Sequence, residues 1–328
     1  MADTGHSVVD DYFTLVDDSC VAVLPHVLRI AAELKIADHL PASSDSLASV
    51  VDADADSVHR LLRALASVGL VTESGRTFAL TERGQRLRAS WASLVNIDSQ
   101  LAWIRATDTI RSGRSSFDQA HRGEFFSHKD DDLEANRMFL RRMRERASRS
   151  YPEFATAVDW TPSSVVMDVG GGDGYLIETV LNHAAHVSGV LFDRPATVDV
   201  VEDSGLPARF GERLRCERGD FFEKVAAGAD THLMCSVLHD WTDEQCTRIL
   251  RHSKEALDPG GRLHIVEMIV PDGDDWHPSK WSDVGMMVLT GGKERTRTEF
   301  EVLLAASGYA LQSVRAIPNS HFSVITAV

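Results

Sequence analysis

The sequence predicts an α/β protein: a doubly wound, mainly parallel sheet closed by an antiparallel C-terminal hairpin, preceded by an α-helical N-terminal region of winged-helix type. Three observations carry this. From residue 161 onward short β-rich runs alternate with helical ones, the rhythm of strands joined by crossover helices. Near the end, Leu311–Ile317 and Phe322–Val328 are β runs with only a Pro318-Asn319-Ser320 connection, too short for a crossover, so they pair antiparallel at the sheet edge. In the first 80 residues, helical periodicities lead into a short hairpin.

The elements follow in order. Residues 19–40 place Val21, Leu24, Val27, Leu28, Ala31, Leu34 and Ile36 near helical spacing. Ala55–Leu70 repeats the pattern with Val58, Leu61, Leu62, Leu65 and Val68, and Gly69 sits where a helix closes. Val71–Leu80 forms two alternating runs around Ser74-Gly75, a hairpin signal. Helix, helix, helix, hairpin is best known for binding DNA. Residues 1–90 nevertheless hold more acids than bases, and the helix before the hairpin offers phosphates only Arg60 and Arg63. Dimerisation or packing is therefore favoured over DNA readout.

Residues 91–160 continue helical, with breaks at Gly113 and Gly123. Arg137, Arg141, Arg142, Arg144, Arg146 and Arg149 crowd one stretch just after Asp130-Asp131-Asp132. Acids first and bases last suit the dipole of a solvated helix, a reading preferred here over a funnel for an anionic substrate. Strands are then expected at Val165–Val169, Val187–Phe192, Leu214–Glu217, Thr231–Val237 and Arg262–Val270. Helices are expected at Leu176–Ala185, Asp243–Leu257 and Thr298–Ser307. The domain layout that follows is 1–90, winged-helix-like and dimerising; 91–160, a helical linker; and 161–328, the alternating α/β region.

Composition narrows the function classes. At 328 residues, 43% hydrophobic and 25% charged, the chain matches an ordinary globular protein of about two domains. Asp plus Glu outnumber Lys plus Arg by 49 to 34, and a formal charge of −15 repels a phosphate backbone, so nucleic acid is not the expected partner. No apolar run approaches the roughly 20 residues of a membrane span. Asp3, Asp10, Asp11, Asp17 and Asp18 oppose a signal-peptide reading. Cys20, Cys216, Cys235 and Cys246 show no CxxC pairing and read as reduced thiols in a cytoplasmic protein. His183 and His186 lack a second ligand pair at zinc spacing and read as surface residues.

The chemistry concentrates at strand ends. Val166-Met167-Asp168-Val169-Gly170-Gly171-Gly172-Asp173-Gly174 runs a buried strand into a glycine-dense turn and then a helix. Its G-x-G-x-G spacing (Gly170, Gly172, Gly174) is not the dinucleotide G-x-G-x-x-G, and no Gly-Lys-Ser/Thr follows to make a phosphate loop. Asp193 ends the next strand, where a carboxylate can accept hydrogen bonds from both hydroxyls of a ribose. At the following strand end, Asp220 can take an adenine amino group while Phe221 stacks on the base. This set resembles the S-adenosylmethionine site of class I methyltransferases.

Two further blocks, Leu238-His239-Asp240-Trp241-Thr242-Asp243-Glu244 and Gly291-Gly292-Lys293-Glu294-Arg295-Thr296, extend the likeness. With the glycine turn they resemble the plant-type (caffeic acid-like) small-molecule O-methyltransferases in their bacterial natural-product branch, over nearly the whole chain. The resemblance implies a class I methyltransferase sheet of Rossmann-like type, an N-terminal dimerisation domain and a homodimer in which N-terminal helices of one subunit help close the other's pocket. It implies S-adenosyl-L-methionine as methyl donor, S-adenosyl-L-homocysteine as product, no metal, and a small aromatic acceptor. His239 becomes the general base, with Glu267 and Glu294 orienting the imidazole and Asp240 assisting. Met143 and Ser236 join Asp168, Gly170, Gly172, Gly174, Asp193, Asp220 and Phe221 as cofactor contacts. Histidine suits the task, since an unperturbed pKa near about 6.5 leaves it able to accept a phenolic proton at neutral pH.

Two positions depart from the family pattern: Cys235 replaces a lysine and Ala147 a serine, with Ser148 or Ser236 as possible substitutes. The acceptor pocket is expected before residue 160 and along Trp281–Thr290, where Met286, Met287 and Leu289 suit a flat apolar ring. The competing class is a methyltransferase homologue that binds the same cofactor but carries out hydroxylation, decarboxylation or pericyclic chemistry. An intact His239 with Glu267 and Glu294 favours transfer.

Overall fold

The computed structural model describes residues 20–85, 88, 97–130 and 132–328. The N-terminal aspartates and Asp131, invoked above, lie outside the described residues. The chain divides into two compact units, Met1–Ile97 and Asp98–Val328.

In the first unit, helix Cys20–Glu33 is followed by strand β1 (Ala42–Ser43), helices Ser44–Val50 and Ala55–Ser67, and strands β2 (Val71–Ser74) and β3 (Thr77–Leu80). Ser43 and Asp54 start the second and third helices by accepting hydrogen bonds from the amides of Ser46 and Ser57. Val58, Leu62 and Leu65, spaced one turn apart, meet Ile36, Leu47 and Phe78 in a closed apolar core. The expected hairpin forms, and β1 adds to it in the antiparallel order β1-β3-β2. The result is a small helical domain with a wing.

The second unit begins with short helices, then the long helix Leu133–Ser150, whose first turn is capped by Asp132 accepting from the amides of Glu134 and Ala135. Seven strands follow: β4 (Val165–Val169), β5 (Ser188–Asp193), β6 (Leu214–Arg218), β7 (Ala229–Cys235), β8 (Leu257–Met268), β9 (Leu311–Ala316) and β10 (Phe322–Ala327). Their order is β6-β5-β4-β7-β8-β10-β9. The first five are parallel, while β10 runs antiparallel beside β8 and turns back to β9 at the edge.

Alternation along the central strands builds both faces. Val166, Leu191, Leu233 and Val266 pack with Ile177, Leu181, Val198 and Leu206 on one side. Met167, Val190, Met234 and Ile265 pack with Ile249, Leu250, Phe300 and Leu304 on the other. Helices Pro195–Asp203 and Pro278–Leu289 were not expected, although a proline in the first turn favours a helix start. The strand order reverses at β4, so the carboxyl ends of β4 and β7 open a crevice where ligands bind in such sheets. Among the described residues, no helix is long and apolar enough to cross a membrane.

Close helix–sheet packing behind this crevice depends on Gly189 in β5. A Cβ there would lie 2.7 Å from Ile177 Cγ1 and 2.9 Å from its Cδ1. Gly189→Val should lower the stability of this unit by about 1–3 kcal/mol through overpacking, read as a shifted urea midpoint. An unchanged midpoint would contradict the packing described.

Candidate active site

A cavity of about 470 Å³ opens at the carboxyl ends of β4, β5, β6 and β7. Of the residues expected to hold the cofactor, Met143, Asp168, Gly170, Gly172, Asp193, Asp220, Phe221 and Ser236 all line it. His239 and Asp240 line it too.

The glycine turn is built for close approach. Gly170, Gly172 and Gly174 have φ of 76°, 56° and 81°, in the left-handed region that L side chains rarely adopt. A Cβ on Gly172 would meet only Leu140, at 3.9 Å, so the space beside it is open to a ligand. Gly174 is different: the structure places it outside the cavity lining. A Cβ there would run into Leu206 at 2.4 Å and Leu191 at 3.0 Å, so its glycine serves helix packing rather than cofactor contact. Asp193 anchors the turn, accepting from the Gly172 amide at 2.8 Å and the Arg194 amide at 2.7 Å. With the Thr197 side chain also donating to it, the carboxylate keeps acceptor capacity for a ribose hydroxyl.

Asp168 is buried, and its Oδ2 has no hydrogen-bond partner among the described residues. Burial, joined by the charge of Asp193, raises it to about 7. A buried carboxylate with one oxygen unpartnered, beside a glycine cradle, fits a ligand that brings its own donor or positive charge. Asp220 is exposed and accepts from the Phe222 amide at 2.7 Å. Phe221 and Phe222 form an aromatic wall with Trp241, whose ring centroid lies 6.0 Å from the first and 4.6 Å from the second. Phe126 closes this wall at 5.5 Å from Trp241. These residues fit a sulfonium nucleoside: a cradle, a ribose acid, aromatic faces and nearby carboxylates.

The residue expected to act as base is held by two buried carboxylates. His239 is 4% exposed, on a short turn (Leu238–Asp240) that follows β7. Its Nδ1 lies 3.0 Å from Glu294 Oε1 and 3.4 Å from Glu267 Oε2. Both glutamates sit behind the ring, away from the cavity lining, and are buried. Glu267 Oε1 accepts from the amides of Val237, Leu238 and His239 at 3.0, 3.1 and 3.4 Å, so one carboxylate both caps the turn and faces the ring. Ser282 Oγ donates to Glu294 Oε1 at 2.7 Å. Nε2 is left toward the cavity, 3.8 Å from Asp240 Oδ2, too far for a hydrogen bond.

The electrostatics follow from that geometry. Burial works against a charged imidazole, but the carboxylates of Glu267, Asp240 and Glu294 outweigh it and raise His239 from 6.5 to about 10. Burial likewise opposes ionisation of Glu294, yet the hydrogen bond from His239 holds it below its ordinary value. Burial raises Glu267 despite the pull of His239, and Glu294 and Asp240 add to the rise. The imidazolium–Glu294 pair is thus the ionised core, because their contact is the shorter one.

Three features were not read from the sequence. Arg295, 1% exposed, grips the His239 turn: its guanidinium donates to the carbonyls of Leu238 at 2.7 Å and Trp241 at 2.9 Å and pairs with Asp243 at 2.9 Å. Gly292 presses on the same turn, where a Cβ would fall 2.1 Å from the His239 carbonyl oxygen. Tyr151 lines the cavity and hydrogen-bonds with Cys235 and Ser236. Ser148, offered as a substitute contact, points instead to the Glu145 carbonyl on an exposed surface.

The pocket segment divides as well. Met286, Leu289 and Thr290 line the cavity; Met287 does not, and Trp281 is exposed. The solvated-helix expectation for Leu133–Ser150 needs correction, since Arg142 and Arg146 line the cavity. Two groups of described residues could each offer three ligand atoms to a metal, His239 with Glu267 and Glu294, and Asp98 with His121 and His128. In the first the donors already engage one another. In the second, buried Lys129 occupies the Asp98 carboxylate at 3.2 Å.

Glycine substitutions separate cradle from packing. Gly172→Val should abolish S-adenosylmethionine binding while the protein stays folded, because the side chain enters the ligand's space. Gly174→Ala should retain the binding and lose stability by about 1–3 kcal/mol. Calorimetry beside urea unfolding distinguishes them, and near wild-type affinity in Gly172→Val would show the cradle is misplaced.

The sequence matches an O-methyltransferase domain over residues 103–310 and an O-methyltransferase dimerisation domain over residues 19–90. The O-demethylpuromycin-O-methyltransferase of Streptomyces alboniger is 34% identical over 92% of this chain and 85% of that protein. Aclacinomycin 10-hydroxylase RdmB of Streptomyces purpurascens is 31% identical over 89% of this chain and 83% of its own. The crystal structure of NcsB1, an O-methyltransferase from neocarzinostatin biosynthesis in complex with S-adenosylmethionine and 2-hydroxy-5-methyl naphthoic acid, superposes with a TM-score of 0.83. It is 29% identical and the match covers 93% of this chain and 96% of that one. With both of its regions matched and the class I sheet in place, the chain belongs to the plant-type O-methyltransferases, enzymes that use S-adenosylmethionine and carry a dimerisation domain.

Proposed function

We propose that this chain methylates a phenolic or enolic hydroxyl of an aromatic or polyketide-like natural product, with His239 as general base, and that it works as a homodimer through its dimerisation domain. The observation that carries the reading is the pinned imidazole: Nδ1 is held by Glu294 and Glu267, which leaves Nε2 as the nitrogen facing a hydroxyl in the cavity.

S-adenosylmethionine, when bound, supplies an electrophilic methyl group on a sulfonium and departs as S-adenosylhomocysteine. Gly172, Asp193, Asp220 and Phe221 would hold its nucleoside, and Asp168, Met143 and Ser236 the rest. His239 Nε2 takes the proton from the acceptor hydroxyl, making the oxygen a competent nucleophile. The imidazolium that results is stabilised by Glu294 and Glu267, in fixed positions that need no reorganisation. Phe126, Phe221, Phe222 and Trp241 offer aromatic faces along the cavity.

The second reading, a non-methylating reaction on the same scaffold, has a specific motive in the similarity to a hydroxylase. The intact His239–Glu294–Glu267 set supports transfer over it. Pooled hydroxyarenes incubated with labelled methyl donor and followed by mass spectrometry separate the two, since only transfer adds one methyl.

His239→Ala should leave cofactor affinity nearly unchanged and lower turnover of a weakly acidic phenol by roughly 10²–10⁴. His239→Gln should be almost as poor, because an amide fills the space but takes no proton. The defect should shrink for acceptors acidic enough to arrive ionised. Protonation removes the lone pair at Nε2, so the wild-type rate on a neutral phenol should rise with pH across and above neutrality rather than level off just above 6.5. Near wild-type turnover by His239→Ala would exclude general-base transfer.

A further inference from the structure

The six arginines of helix Leu133–Ser150 do not share one fate. Arg137 pairs with Asp203 at 2.7 Å, and Arg144 with Asp173 at 3.3 Å and with Glu178. Arg142 and Arg146, one turn apart, both line the cavity. Among the described residues neither makes a hydrogen bond or an ion pair, and Arg142 only lies over the Phe139 ring, 5.4 Å from its centroid. Burial, and then the like charge of Arg146, hold Arg142 below its ordinary value, with no carboxylate to offset them. Removing a cation from water without a partner is costly, and the cost is recovered when a ligand brings the anion.

The position of the pair indicates which ligand. Arg146 acts on Asp240 and Glu294, drawing both toward ionisation, so it belongs to the His239 end of the cavity. At the cradle end, the charges that act on Asp168 are those of Asp193 and Asp173, and the one that acts on Asp193 is that of Arg194, not this pair. Around the arginines, Phe139, Met286 and Leu289 offer apolar surface for a flat ring. A planar guanidinium fork matches the two oxygens of a carboxylate.

We propose that the acceptor is an aromatic hydroxy acid, its hydroxyl presented to His239 and its carboxylate held by Arg142, with Arg146 adding positive charge. This rests on the cavity being the acceptor site of a methyl transferase, and it names the acceptor's chemical class.

The test uses full-length protein loaded with S-adenosylhomocysteine, titrated by calorimetry with hydroxynaphthoates and hydroxybenzoates, each beside its decarboxylated naphthol or phenol. At least one hydroxy acid should bind about tenfold or more tighter than its partner, the scale of a charge-assisted bidentate contact. Arg142→Met should erase that preference while leaving the affinity for the plain phenol and for S-adenosylhomocysteine unchanged. If Arg142→Met does not fold, as judged by its melting curve, Arg142→Lys should keep the charge and lose most of the preference.

Equal affinity for acid and phenol throughout, or no binding by any hydroxy acid, overturns the proposal. So does a loss of S-adenosylhomocysteine affinity in Arg142→Met, which would assign the arginine to the cofactor's own carboxylate. Methylation of plain phenols without preference would overturn this proposal and leave the methyl-transfer reading standing. Failure to methylate any hydroxyarene would instead remove that reading.

Discussion

The hydrogen bond between His239 Nδ1 and Glu294 Oε1 is the constraint on which the rest of the site depends. It fixes which ring nitrogen carries a proton toward the protein and which is left for the cavity. Glu267 makes the constraint rigid, because one of its oxygens caps the turn bearing His239 while the other faces the ring. Arg295 holds the carbonyls of that turn, and Gly292 lets the Glu294 segment lie directly against it. A buried charged cluster of this kind is costly to assemble, and replacing it by apolar groups would often stabilise a fold. The proton transfer proposed at Nε2 would give such a cluster its use here.

The same principle of unequal charge balance organises the whole cavity. At the cradle end, Asp168 keeps one buried oxygen without a donor, while Asp193 already accepts from two backbone amides. On the helix Leu133–Ser150, Arg142 lines the cavity as a cation with no hydrogen bond or ion pair among the described residues. The imidazole of His239, backed by carboxylates that favour its charged form, lines the same cavity. An aromatic wall of Phe126, Phe221, Phe222 and Trp241 lines the cavity beside these groups. A site so divided suits two ligands of different charge held together for one reaction.

What could be read from the sequence was local. The glycine turn and the acid at the end of β5 are set by adjacent residues, so spacing exposed Gly170, Gly172 and Asp193 directly. Gly174 looked the same in the chain, yet only the approach of Leu206 and Leu191 shows that it packs rather than binds. Glu267 and Glu294 lie 28 and 55 residues from His239, so no local spacing could unite them; the family likeness did. Arg295, Tyr151 and Trp241 act across tertiary contacts and went unassigned. The long helix shows the limit most plainly: charge order suited a solvated helix, but which face meets a cavity is decided by the elements packed against it.

The most direct measurement is the protonation state of His239 itself, read by nitrogen-15 NMR of histidine-labelled, cofactor-free protein across a pH titration, with His239→Gln identifying the resonance. The imidazolium should persist well above pH 6.5, toward about 10, and its pKa should fall when Glu294 is replaced by glutamine. A ring already neutral at pH 7, or one indifferent to Glu294→Gln, would contradict the claim that the buried glutamates hold and charge the base.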